Sequence, residues 1–195
     1  MRHQTILRRF LPAALLGLVA SPVQSQQDFD AAIPAATQRE AMEAFAVMDG
    51  VWRGSAWTLL PSGERHELVQ TERVGPLLGG AIRLLEGRGY EADGRLGFDA
   101  LGIISYDSAR QACSMRSYAM GRSGDFEITV EGNRFRWEIP AGPMTIRYEA
   151  TVDGETWTEI GTRIVPGSDP VRFFEAHLTR VGDTDWPSAG AVGPE

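Results

Sequence analysis

Short runs in which apolar and polar residues alternate, separated by turn residues about every ten positions, fill most of the chain from residue 51 onward. The run 133–140 is the clearest, because Phe135, Trp137 and Ile139 alternate with charged residues. A period of two gives a strand one face in a core and one face in water. The pattern predicts ten β-strands, over 51–60, 64–74, 80–89, 95–106, 111–119, 124–130, 133–140, 144–152, 155–165 and 171–181.

The connections between these runs are mostly of hairpin length, such as Glu131-Gly132 and Asp153-Gly154. Consecutive strands joined by such turns pair antiparallel. An open meander of this kind would leave two unpaired edges, and closure into a barrel removes both. The sequence therefore predicts an all-β fold, a closed antiparallel up-and-down barrel of about ten strands.

A short helix over 37–49 is predicted in front of the first strand. Thr37 and Glu40 have the spacing of a capping box, and Met42 and Phe45 begin an apolar stripe on the same helix face. The helix and the strands together define a barrel domain over 37–182. Residues 26–36 lack hydrophobic periodicity and are predicted to be a flexible leader. Residues 183–195 contain several Gly and Pro and are predicted to be a flexible tail.

Residues 1–25 have the three parts of a secretory signal peptide: arginines near the start, an apolar run from Phe10 to Ala20 and a polar end with the small residue Ser25. The apolar run has 11 residues, whereas a membrane-spanning helix needs roughly 20. We therefore predict a cleavable leader and no membrane anchor. The expected location of the mature protein is periplasmic or secreted, by the Sec or the twin-arginine route.

Composition and charge exclude several classes of function. All 19 basic residues are arginine, and the formal net charge is −7. Absence of lysine excludes Schiff-base and phosphate-loop lysine chemistry, and the acidic balance argues against a nucleic-acid partner. Beyond the leader the chain has one cysteine, Cys113, and two histidines, His66 and His177. We therefore predict no metal site and no cofactor, and nothing in the sequence indicates an oligomeric state.

The two ends of the predicted barrel carry a distinctive pair of residues. Trp52, preceded by Gly50, stands at the start of the first strand, and Arg180 stands at the end of the last. In a closed meander these ends are neighbours, so the guanidinium can lie over the indole ring and stabilise this barrel end by about 0.5–2 kcal/mol. We predict a structural role for all three residues.

This pair, in the order Gly-x-Trp at the start and Leu-x-Arg at the end, resembles the calycin superfamily of lipocalin-related barrels. The chain most resembles the bacterial domain-of-unknown-function family numbered fifteen seventy-nine, which is similar to nitrobindin-type barrels. The resemblance covers about 48–181 and rests on 48–54, 78–80, 106–107, 137–140, 147–148, 157–159, 173–175 and 178–180. It implies a calycin-like barrel without an established activity.

His177 invites comparison with nitrobindin-type barrels, which bind haem through a histidine near the last strand. In that pattern the histidine lies further upstream, close to Arg172 or Phe173. Alternation also places His177 on the face opposite to Leu178 and Arg180. We therefore predict that His177 is a surface residue and not a haem ligand.

The interior of a barrel of this size can enclose one small ligand. Aromatic residues are frequent in the predicted strands, with arginines and a glutamate between them. Arg147 or Arg116 could anchor an acidic group by paired hydrogen bonds. The candidate ligand-binding residues are Arg116, Tyr118, Trp137, Arg147, Tyr148, Trp157 and Glu159. The opposite arrangement, with aromatic residues filling the core and arginines outside, is equally compatible with the pattern.

Three functions remain open from the sequence. The first is an exported barrel that binds a small, largely apolar molecule. The second is an enzyme, a hydrolase or isomerase, that uses a cavity carboxylate such as Glu159, or His66 paired with Glu159 or Glu175. The third is a protein-interaction module with a filled barrel. We assign no catalytic residues, because Ser123 lies outside a nucleophile-elbow motif and Cys113 is typical of a buried apolar position.

Overall fold

The structure is a computed structural model that describes residues 34–190 and residue 192. Ten antiparallel strands follow one another around a closed barrel, each paired with its neighbours in the chain, and β1 pairs with β10. The strands are β1 Gly50–Leu59, β2 Arg65–Leu77, β3 Ile82–Tyr90, β4 Leu96–Asp107, β5 Ala112–Ala119, β6 Arg122–Glu131, β7 Arg134–Ala141, β8 Met144–Asp153, β9 Thr156–Ile164 and β10 Val171–Gly182.

The predicted closed antiparallel up-and-down barrel is confirmed, with strand ends that differ from the predicted ones by three residues at most. Hairpin geometry explains the agreement, since the turn residues fix where each strand reverses. Gly132, Gly142 and Gly154 occupy the first position of two-residue turns with φ near +60°. Glycine has no Cβ and adopts this backbone conformation without steric cost, so the glycines indicate the positions of these turns in the sequence.

The helix in front of the barrel starts earlier than predicted. An α-helix, α1, covers 34–42, and a 3-10 helix continues over Glu43–Met48. Thr37 therefore lies inside the helix, and its predicted role in a capping box is wrong. Pro34 is compatible with this earlier start because the first-turn N–H groups have no intrahelical partner, so a missing one costs nothing.

One end of the barrel is closed by a packed core. Met42, Phe45 and Met48 from the helical segment are almost completely buried against Trp52 and Phe135. The Phe45 and Phe135 ring centroids lie 5.5 Å apart, and the Trp52 and Trp157 rings meet edge to face at 5.6 Å. Edge-to-face and tilted pairs at these distances are favourable beyond their buried area. The helical segment thus plugs this end of the barrel.

The first part of the predicted flexible tail is attached to the barrel, so that prediction is wrong for 183–190. Trp186 lies under the Arg73 guanidinium at 4.4 Å, and the Ser188 hydroxyl donates to the Pro76 carbonyl at 3.2 Å. Gly75 allows the approach, because an added Cβ would lie 1.9 Å from the Trp186 carbonyl oxygen. The Arg73 guanidinium and the Trp186 indole ring attract each other. The sequence pattern did not reveal that these two residues lie close together.

The predicted signal peptide 1–25 and most of the predicted leader 26–36 lie outside the described residues. Residues 34–36 of that leader are helical. Within the described part of the chain, no helix is long and apolar enough to cross a membrane.

Candidate functional site

A cavity of about 440 Å³ lies inside the barrel, between the β1–β2, β3–β4 and β9–β10 turns and Met48 of the helical plug. Its volume falls in the usual range for small-molecule pockets, about 300–1,000 Å³. The lining is mainly apolar and aromatic and comes from all ten strands. The residues used below are Leu68, Glu72, Ser117, Ile128, Trp137, Tyr148, Trp157, Glu159 and Phe174.

Glu72 on β2 is the first of two carboxyl groups that line the cavity. The Gln70 side-chain amide donates to Glu72 Oε1 at 2.7 Å. Gly87, its partner position on β3, provides the space for it, since an added Cβ there would lie 2.8 Å from Glu72 Oε1. Burial, with the nearby charge of Glu159 as a second cause, raises the pKa of Glu72 to about 8. Glu72 is therefore mostly protonated at neutral pH.

Glu159 on β9 is the second cavity carboxyl group. Its neighbours across the sheet are Ala150 on β8 and Ala176 on β10, and both are small and buried. The Trp157 indole donates to Glu159 Oε2 over a long 3.4 Å. Burial raises the pKa of Glu159 to about 7. A carboxyl group with so few hydrogen-bond donors around it is costly to ionise.

Aromatic rings form one wall of the cavity beside Glu159. The Trp137 and Tyr148 rings are stacked, with centroids 5.2 Å apart and an interplanar angle of 13°. Phe173 and Phe174 meet the Tyr148 ring edge-on at 5.9 and 6.0 Å. Burial and the nearby Glu159 charge raise the pKa of Tyr148 to about 12, which keeps its hydroxyl protonated.

His66 and Glu91 line the cavity near the β1–β2 and β3–β4 turns. His66 Nε2 lies 3.2 Å from Glu91 Oε1, and both side chains are about one-third exposed. Gly97 makes room for this carboxylate, because an added Cβ would lie 2.5 Å from Glu91 Oε1. The entrance is therefore polar, whereas the interior beyond it is mainly apolar, and its polar groups include the Glu72 and Glu159 carboxyl groups and the Ser117 and Tyr148 hydroxyls.

Comparison with known proteins shows the fold and nothing finer. The chain resembles the crystal structure of Rv2717c from M. tuberculosis, with a TM-score of 0.55 and 14% sequence identity over 72% of this chain and 96% of that one. No protein-family model matches the chain. No curated protein matches it significantly. Unrelated functions occur on one fold, so the function is argued from the cavity.

The cavity brings together four of the seven predicted ligand-binding residues. Trp137, Tyr148, Trp157 and Glu159 all line it. They come from β7, β8 and β9, which are consecutive strands of the sheet. Alternation placed these side chains on one face, and the structure identifies that face as the interior.

The other three predicted ligand-binding residues lie on the outer face of the barrel, and their predicted role is wrong. Arg116 pairs with Asp125 at 2.6 Å and donates to the Tyr118 hydroxyl at 2.9 Å. Arg147 pairs with Glu138 at 2.8 Å. A guanidinium on the outer face finds carboxylates and water there, whereas burial in an apolar cavity would remove its hydration. Neither arginine can anchor a ligand in the interior.

The histidines also occupy different faces of the barrel. His177 is exposed on the outer face and lies 2.7 Å from Glu175, as its alternation with Leu178 indicated. His66 faces the cavity, and Glu91 is its partner rather than Glu159 or Glu175. Burial raises the pKa of the Cys113 thiol, which makes it a weak nucleophile. Among the described residues, no group of three or more His, Cys, Asp or Glu side chains could hold a metal ion.

Glu72 and Glu91 are the acidic cavity residues that sequence reasoning missed. A signal for Glu72 is present, because it alternates in phase with Leu68, Gln70 and the fully buried Val74. The flanking charged residues on β2 concealed that phase. Glu91 lies just beyond the end of β3, where alternation gives no information about direction.

Proposed function

We propose that this protein is an exported β-barrel that binds a small, largely apolar molecule in its interior. The observation that carries the proposal is the 440 Å³ cavity with its aromatic and aliphatic lining. Pockets of this kind bury most of the surface of a small ligand and orient it with a few polar groups. Here those groups include Glu72, Glu159 and the Tyr148 hydroxyl.

The interior cavity is at odds with the filled barrel of the interaction-module hypothesis. The buried core side chains Phe45 and Trp52 close one end of the barrel, and the cavity remains within it. A cavity between packed elements forfeits contacts and costs stability unless a ligand occupies it. This cost is the physical reason to favour binding over a purely structural barrel.

Export and family membership are part of the same proposal. The three-part leader over 1–25 supports export. The neighbouring positions of Trp52 and Arg180 at the barrel seam support a calycin-like assignment. An exported carrier for apolar molecules suits the aqueous space outside the cytoplasm, where such molecules dissolve poorly.

The test uses the neutral fluorescent dye prodan and two variants on β5. Ser117 lines the cavity, whereas Ser114 faces outward beside Ser105. We expect one dye per protein, and we expect Ser117→Phe to weaken dye binding by about tenfold or more because the ring fills the cavity. Ser114→Phe, the same change on the outer face, should leave dye affinity unchanged. Equal binding to both variants, or no binding to the native protein, contradicts the proposal.

The second candidate function is an enzyme, and the two cavity carboxyl groups favour it. Groups with raised pKa values in one cavity are suited to general acid and general base roles. The two functions differ in the fate of the bound molecule. Native mass spectrometry of protein purified from its own periplasm identifies a co-purified mass. If incubation with fresh protein converts that molecule, and Glu159→Gln abolishes the conversion, the result supports the enzyme function.

A further inference from the structure

We propose that the cavity selects a lipophilic amine, bound as its ammonium form between the carboxyl groups of Glu72 and Glu159 and the aromatic wall of Trp137 and Tyr148. This inference rests on the proposed binding function and names the chemical class of the ligand. It replaces the acidic ligand that the sequence suggested.

The absence of a cationic partner for the two cavity carboxyl groups, within the described residues, is the first reason. Glu72 and Glu159 face the same cavity, and neither forms an ion pair with any cationic side chain in 34–190. Their cross-strand neighbours are Trp52 and Gly87 for Glu72, and Ala150 and Ala176 for Glu159. None of these four can supply a counter-charge, so a ligand cation is the natural partner.

The hydrogen-bonding state of the carboxyl groups is the second reason. Glu72 accepts one short bond from Gln70, and Glu159 accepts only the long bond from Trp157. The Tyr148 hydroxyl has no hydrogen-bond partner within the described chain. An ammonium group carries several donors and no acceptor, which complements these free oxygens. A ligand carboxylate would instead be repelled by these groups at a pH where they are ionised.

The aromatic wall is the third reason. Tyr148 lies close enough to Glu159 for the charge of Glu159 to raise the pKa of the tyrosine, and its ring is stacked on Trp137. Cations are attracted to the faces of such rings, most strongly where water is excluded. The same rings accept the apolar part of an amine. Charge recognition and apolar contact therefore occur within one cavity.

The remaining charged groups around the cavity do not cancel this selectivity. His66 at the entrance is paired with Glu91. Arg163 stacks on Phe173 at 4.7 Å, and its charge acts on Tyr148. Glu86 on β3 adds negative charge near Glu72. Because ammonium binding drives ionisation of a carboxyl group, it releases a proton, and affinity for an amine rises with pH.

The experiment compares phenylbutylamine, phenylbutanol and phenylbutyrate, which share one apolar skeleton and differ in the polar group. By calorimetry at about pH 8.5 we expect the amine to bind about tenfold tighter than the alcohol, and the acid to bind most weakly. At about pH 5.5 the advantage of the amine should disappear, because both carboxyl groups are protonated. Titration in buffers of different ionisation enthalpy should show proton release with the amine and none with the alcohol.

Two variants test whether the Glu72 and Glu159 carboxyl groups cause the preference for the amine. The double variant Glu72→Gln, Glu159→Gln should bind the alcohol as the native protein does and lose the preference for the amine. Glu149→Gln, which removes one charge from the exposed face of β8, is the matched control and should keep the preference. Equal affinity for amine and alcohol at high pH, or tightest binding of the acid, overturns the inference while the proposed function stands. Failure of all three compounds to bind rejects the proposed function itself.

Discussion

The Arg180 guanidinium lies 6.0 Å from the centroid of the Trp52 ring, and the two residues are direct partners across the seam between β1 and β10. Each is also tied to the segment that leads out of the helical plug. Trp52 donates its indole N–H to the Met48 carbonyl at 2.8 Å, and Arg180 donates to the Asp49 carbonyl at 3.2 Å. The pair thus joins the first strand, the last strand and the plug.

Truncation of this pair should destabilise the barrel less than additively. We expect Trp52→Ala to lower the free energy of unfolding by about 3–5 kcal/mol through loss of a buried indole. Arg180→Ala should lower it by about 1–2 kcal/mol through loss of its hydrogen bonds. The double variant should fall short of the sum by about 0.5–1 kcal/mol, because both changes remove the same contact. Denaturant unfolding measures all three.

A matched pair tests the specificity of that coupling. Arg172 lies on the same strand as Arg180, is exposed, and pairs with Glu175 instead of Trp52. Trp52→Ala combined with Arg172→Ala should be additive within about 0.5 kcal/mol. Full additivity in both pairs would mean that Arg180 and Trp52 do not interact energetically.

Stability should fall with rising pH because of Glu72. An ordinary glutamate carboxyl group has a pKa of 4.5, whereas the pKa of Glu72 in the fold is about 8. Between these two pH values the folded protein holds a proton that the unfolded chain has released. This contribution to the free energy of unfolding is fully present below about pH 4.5 and is lost as pH rises toward about 8, at a slope on the order of 1 kcal/mol per pH unit.

The variant Glu72→Gln should remove the part of the decline in stability with pH that Glu72 causes. We expect the difference in stability between variant and native protein to grow in favour of the variant as pH increases from about 5 to 8. The control Glu149→Gln changes an exposed carboxylate and should keep the native slope. Parallel pH profiles for native protein and Glu72→Gln would show that Glu72 titrates normally in the fold.

The arginines on the outer face should not contribute to ligand binding. Arg147→Ala removes an exposed ion pair with Glu138, and such pairs contribute about 0–1 kcal/mol to stability. We expect the affinities for prodan and for phenylbutyrate to remain unchanged within error. Selective weakening of phenylbutyrate binding by Arg147→Ala would restore the acidic-ligand interpretation of the sequence.

Export should be accompanied by cleavage of the leader. The small residue Ser25 after the apolar run predicts a mature chain that starts at Gln26, with cleavage after Ala20 as the other candidate. Intact-mass measurement of protein from the periplasm distinguishes these forms. A mass that corresponds to a chain starting at Met1 would argue against a cleavable signal peptide.

The sequence by itself determined the barrel. Turn residues such as Gly132, Gly142 and Gly154 mark where hairpins reverse, and the alternation between them assigns each side chain to one of two faces. Closure followed from the need to pair both sheet edges, and closure makes Trp52 and Arg180 neighbours. These features are local or topological, so a linear pattern contains them.

Only the tertiary structure decided what the barrel contains. Glu72 and Glu159 lie on β2 and β9, far apart in sequence, and they share a cavity because β1 and β10 join the two halves of the sheet. Alternation divides the side chains of a strand between two faces, but it could not decide whether Arg116 and Arg147 pointed into the barrel or out of it. Apolar residues line the interior, and a guanidinium could find polar partners on either face. The cavity itself depends on the summed side-chain volumes of ten strands and a helical plug, and no local pattern encodes that sum.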